Sequence, residues 1–117
     1  MELLVAHHEG YVLAKVNGPL DDTARGPFRE KLHPLFAKKN TWLIVDLSAA
    51  QRINSSGIGN LVALTADANT NGSRVTFVSL TPFVLSVMQV TKLDTFFDIA
   101  ASLEEAVARP IRPAPAD

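Results

Sequence analysis

The sequence predicts a single α/β domain built on a sheet of mixed direction. Three observations carry that prediction. An opening hairpin pattern comes first, short apolar runs rich in β-branched residues then alternate with stretches of helical period, and one polar serine turn sits where a central strand hands over to a helix. At 117 residues with 47% hydrophobic content, the chain is large enough to bury one core.

Leu3 to His8 and Tyr11 to Val16 are apolar runs separated by Glu9-Gly10, a hairpin signal. Tyr11, Leu13 and Lys15 alternate with Val12, Ala14 and Val16, so the second strand has one wet face. His7 and His8 are adjacent and point to opposite faces of a strand, which argues against a shared metal site. Asp21-Asp22-Thr23 is an N-cap with acids in the first turn. Phe28, Leu32, Leu35 and Phe36 follow at i, i+4, i+7 and i+8, an amphipathic helix interrupted by Pro27 and Pro34 and therefore kinked or split. Trp42 to Leu47 reads as a buried strand.

The next helix spans about Ser55 to Asn69, with Ile58, Leu61, Val62 and Thr65 on its expected apolar face. Asn71-Gly72 ends it, and Val75 to Leu80 is another buried strand. Pro82 suits the first turn of a helix carrying Val84, Leu85, Val87 and Met88. Phe96 to Ile99 is a short strand, and Ser102 caps a last helix through Ala108. The domain is thus expected over residues 1–108. Residues 109–117, with three prolines in nine positions, read as an extended, flexible tail.

Asn54, Ser55 and Ser56 stand at a helix start, where side-chain oxygens satisfy free first-turn N–H groups. Two readings stay open. The serines are caps, or one hydroxyl carries a phosphate, which the first-turn N–H groups and the helix dipole would favour. Gly57 and Gly59 each cost roughly 1 kcal/mol against Ala inside a helix, so another backbone or a partner is expected to come close there.

Nothing in the remaining inventory argues for an enzyme. The serines lack a Gly-x-Ser-x-Gly elbow, and no histidine has a visible triad context. Gly57-Ile58-Gly59 lacks the third glycine and the lysine of a nucleotide cradle. Asp46 at a strand end is the one carboxylate with a candidate position, and no acid pairs with it. No cofactor is implied, and no His/Asp/Glu set has metal-ligand spacing. Net charge is −1 and no Lys/Arg run exceeds Lys38-Lys39, which speaks against nucleic acid and acidic lipid as partners. With no cysteine, no signal-peptide pattern and no apolar run long enough for a membrane span, a cytoplasmic protein without membrane insertion is expected.

Val45-Asp46-Leu47-Ser48 followed by Ile53-Asn54-Ser55-Ser56-Gly57-Ile58-Gly59 resembles the STAS domain of bacterial anti-sigma factor antagonists. The likeness extends from Gly18-Pro19-Leu20-Asp21, through Val75 to Leu80 and Val90 to Phe97, to Ser102-Leu103-Glu104-Glu105-Ala106. It implies a four- to five-stranded mixed sheet with helices mainly on one side. It also implies a non-enzymatic switch: the free serine form binds an anti-sigma factor, itself a serine kinase, and phosphorylation breaks that complex until a serine phosphatase resets it. The acceptor maps to Ser55, with Ser56 the alternative. The implied partner surface comprises Asp21, Asn54, Ser55, Ser56, Gly57, Ile58 and Gly59. Asn54 departs from the family, which has Asp there. That departure keeps a second reading open, a STAS scaffold or accessory subunit of a signalling complex or lipid-transport ATPase that is never phosphorylated.

Overall fold

The computed structural model describes residues 1–109. Its elements in chain order are β1 (Glu2–His8), β2 (Tyr11–Asn17), α1 (Arg25–Lys31), β3 (Trp42–Ala49), α2 (Ser55–Thr70), β4 (Arg74–Val78), α3 (Pro82–Val90), β5 (Asp98–Ala100) and α4 (Leu103–Ala108). The five strands form one sheet in sequence order. β1 and β2 are antiparallel across Glu9-Gly10, where Gly10 takes a φ of +91° that a side chain would strain. From β2 onward every pairing is parallel. A sheet that grows in one direction through right-handed crossovers puts successive connections on the same face. α1, α2 and α3 accordingly lie together on one side.

The period of two along each strand divides the core. Val12, Ala14, Val16, Leu43, Val45, Leu47 and Phe77 meet Phe28, Leu32, Phe36, Leu61, Leu64, Val84 and Met88 on the three-helix side. Ile44, Val78 and Ala100 face the other way and are covered by α4 through Ala106, with Leu103, Tyr11, Leu13 and Trp42 packed around them. β3 and β4 are therefore buried on both faces, which is why they read as apolar runs without alternation.

The prolines divide the first helical stretch as expected. A 3₁₀ turn at Asp22–Ala24 leads into α1, and a second at His33–Ala37 follows it. Pro27 lies in the first turn of α1, where its missing N–H is harmless, and Pro34 sits at the start of the second 3₁₀ turn. Two strands end differently from the sequence reading. β4 stops at Val78 because Ser79 turns to a φ of +58°. β5 begins at Asp98 because a 3₁₀ turn takes Leu93–Thr95, leaving Phe97 to fill the core against Phe77 at 5.1 Å between ring centroids.

Arg109 is tied to the sheet: Nη1 donates to Asp98 Oδ1 at 2.9 Å and Nη2 to the Ile99 carbonyl at 2.8 Å. The remainder of the expected proline-rich tail, residues 110–117, lies outside the described residues. Among the described residues no helix is long and apolar enough to cross a membrane.

Candidate functional site

Parallel pairing of β2 with β3 brings their exit loops side by side, and backbone hydrogen bonds join them. Leu20 N–H donates to the Arg52 carbonyl at 2.8 Å, and Asn54 N–H donates to the Leu20 carbonyl at 3.1 Å. Leu20 and Ile53 form a parallel bridge between these bonds. The serine turn therefore starts from a fixed platform.

Asn54 is the N-cap of α2. Its backbone is extended (φ −123°), its side chain accepts from Gly57 N–H at 3.0 Å, and its carbonyl takes the first helical bond from Ile58 N–H at 2.9 Å. Ser55 and Ser56 occupy the first two helical positions and are exposed. Their hydroxyls have no hydrogen-bond partner among the described residues, so no base activates them. What they offer is an accessible O–H at the positive end of a 16-residue helix.

Asp21 caps the 3₁₀ turn on the neighbouring loop. Its carboxylate accepts from the Thr23 hydroxyl and from Thr23 N–H, the latter at 2.9 Å. The hydroxyl first, and the N–H second, hold the Asp21 carboxyl below its ordinary value, so it stays charged at the rim of the site. Asn60 Nδ2, one turn beyond Ser56, donates to the Asp21 carbonyl at 3.0 Å and locks α2 to this loop. Asp21, Asn54, Ser55 and Ser56 thus share one surface.

The two glycines separate. A methyl group on Gly57 would stand 1.9 Å from the Leu20 carbonyl oxygen, so the backbone that comes close here is the chain's own. Gly59 is exposed, and nothing lies within 4 Å of where its Cβ would be. Ile58, between them, is half-buried.

Sequence reasoning missed part of the rim. A depression of about 630 Å³ opens beside Asn54, lined by Asp21, Arg52, Gln51, Pro19 and the ring of Phe83, which is 53% exposed. Phe83 reaches it because β4 is parallel to β3, which starts α3 at the same end of the sheet as α2. The Thr81 hydroxyl strengthens that placement by donating to the Ala50 carbonyl at 3.4 Å. An exposed Phe next to a first-turn Pro is the only local signal, and it says nothing about which loop it will meet. Other candidates lie elsewhere. Asp46 accepts from Ser48 N–H at 2.8 Å, and His8 stacks on Tyr11 at 4.9 Å. No group of three or more His, Asp or Glu able to hold a metal occurs among the described residues.

The chain matches the family model described as the STAS domain over residues 2–106. Among solved structures it is similar to an anti-sigma factor antagonist from Mycobacterium paratuberculosis, with 24% identity and a TM-score of 0.78 over 91% of this chain and 90% of that one. A Thermotoga maritima protein described as a candidate anti-sigma factor antagonist gives 21% identity and a TM-score of 0.80, covering 90% and 91%. The Bacillus cell fate determinant SpoIIAA in its phosphorylated form gives 19% and 0.68, covering 91% and 96%. At these identities the structural likeness is one of fold. The family match is broader in meaning, since it runs from β1 into α4 and includes the serine turn, and on that ground this chain belongs to the STAS domain family.

Proposed function

We propose that this protein is an anti-sigma factor antagonist that acts in the cytoplasm as a non-enzymatic partner switch. In its free form it binds an anti-sigma factor with serine kinase activity. Phosphorylation of Ser55 ends that association, and a serine phosphatase restores it. The observation that supports this most directly is the exposed, unbonded Ser55 hydroxyl on a rigid helix start, beside the Asp21 loop and the exposed Phe83 ring.

The physics of the switch follows from that position. A phosphate at the start of α2 carries about −1.5 to −2 charges and is welcomed by the helix dipole, so the fold tolerates it. A partner covering the same surface has to desolvate it. A loss of about 3 kcal/mol on that account weakens binding more than a hundredfold. Asn54 matters here. It caps α2 as well as Asp does, but it leaves the acceptor without a neighbouring negative charge.

Intact mass after incubation with ATP and the cognate kinase tests the reading. One phosphate on the wild type and none on Ser55→Ala, with partner binding retained by Ser55→Ala, is the expected result. Ser55→Glu weakens binding less than phosphate does, because it brings one charge where phosphate brings nearly two. Asn54→Asp takes up phosphate faster. Phosphate uptake by Ser55→Ala at the wild-type rate moves the acceptor to Ser56. If wild type and Asn54→Asp both stay unmodified while partner binding persists, the unphosphorylated scaffold is the correct reading, and the neutral cap at Asn54 is the feature that favours it.

A further inference from the structure

A second surface begins one turn further along α2. Asn60 and Ala63 follow Ser56 at i+4 and i+7, so all three share one side of the helix. Facing them across a groove of about 360 Å³ stand Arg25, Arg29 and His33, with Phe28 at the base. Arg25 and Arg29 are exposed and occupy i and i+4 positions on α1, where like charges repel.

The acids nearby do not neutralise them. Asp67 Oδ2 is 2.7 Å from His33 Nδ1, and its other oxygen accepts from Asn71 Nδ2 at 2.9 Å. The Asp21 carboxylate is held by Thr23. Asp22 stands one turn before Arg25 and forms no ion pair with it. Among the described residues neither guanidinium has an acidic partner within 4 Å. In a chain of net charge −1, this groove is a local excess of unpaired positive charge.

We propose that the groove between α1 and α2 is a docking site for an acidic segment of a partner protein. Spacing describes that segment. Four helical residues separate the two arginines by roughly 6 Å along the axis, which matches carboxylates at i and i+4 on a partner helix. On an extended strand the match is i and i+2, since two residues span about 6.5 to 7 Å. A guanidinium takes a carboxylate through two parallel N–H donors, so two such pairs fix both position and direction. Two free arginines are too few for the stripe of phosphate contacts that nucleic acid requires, and that favours a peptide. The inference goes beyond the proposed phospho-switch and stands without it, because it involves neither Ser55 nor a kinase.

The test is a two-dimensional amide NMR titration of the full chain with an alanine-based helical peptide bearing glutamates at i and i+4, against the same peptide with glutamines. Saturable shifts confined to Arg25, Arg29, His33, Asn60 and Ala63, absent with the glutamine peptide and weakened by added salt, are the expected result. Arg25→Gln and Arg29→Gln preserve the length and helix propensity of the side chain, and each should weaken binding about two- to fivefold. The spectrum of each variant checks its fold in the same experiment. Equal binding by the double variant overturns the proposal, as do shifts centred on Lys38-Lys39 or an absence of shifts. A single-stranded oligonucleotide of matched charge that binds the same residues more tightly than the peptide also overturns it, in favour of nucleic acid.

Discussion

Gly57 and Gly59 lie two residues apart on one helix, yet substitution to alanine should move stability in opposite directions. At Gly57 a Cβ would stand 1.9 Å from the Leu20 carbonyl oxygen and 2.4 Å from its carbon, atoms of a backbone that also receives the Asn54 hydrogen bond. Neither chain can give way without breaking the platform of the site. The gain of about 1 kcal/mol in helix propensity is therefore outweighed, and Gly57→Ala is expected to destabilise by about 1 to 3 kcal/mol. At Gly59 there is open space, so the same change should stabilise by about 0.5 to 1 kcal/mol. Urea midpoints of the two variants check both signs. If a partner's backbone approaches Gly59, as the resemblance to the STAS domain implies, Gly59→Ala will also weaken partner binding although the domain itself is more stable.

At the scale of the element, α2 is rotated relative to the apolar face expected from its periodicity. The buried stripe is Gly57, Leu61, Leu64, Thr65 and Ala68, while Ile58 and Val62 are only half-buried. Leu61 and Thr65 fall on both stripes, so the difference is a turn of the helix about its axis by part of a residue spacing. Its cause is the contact between Gly57 and Leu20: the smallest residue must face the neighbouring loop, and the rest of the helix follows. Leu61→Ala and Leu64→Ala are each expected to cost about 2 to 5 kcal/mol, since both side chains are fully buried. Val62→Ala should cost clearly less. Equal losses at Val62 and Leu64 in equilibrium unfolding would restore the face that periodicity suggests.

The whole molecule is unevenly covered. Three helices pack on one face of the sheet, whereas among the described residues the other has only α4, six residues resting on Ile44, Val78 and Ala100. So short a helix has little stability of its own. It is held by Ala106 in the core, by the Ser102 cap to Glu105 N–H at 3.1 Å, and by Arg109 on Asp98 and Ile99. Amide hydrogen exchange should find β3 and β4 the slowest region and α4 opening locally below the global free energy. Arg109→Ala should speed exchange in α4 while leaving the start of α2, on the other face of the sheet, unchanged. Loss of protection at Ser55 to Gly59 in that variant would mean that the two faces unfold together.

Much of the fold was legible because its signals are local. The hairpin at Glu9-Gly10, the apolar runs of β3 and β4, the caps at Asp21, Asn54 and Ser102 and the prolines around α1 act within a few residues, and each marks its element, although β4 stops at Val78, short of the expected Leu80. The serine turn was legible for the same reason, since a helix N-cap followed by exposed first-turn hydroxyls is a property of the chain itself. Tertiary structure decided what meets what. Only the parallel order of β2, β3 and β4 brings the Asp21 loop, the serine turn and Phe83 to one end of the sheet. Only the approach of Leu20 divides Gly57 from Gly59, and only the packing of α1 on α2 sets Arg25 and Arg29 against Asn60. Those are contacts between segments about 30 to 60 residues apart in the chain, and helical or strand periodicity carries no information about such partners.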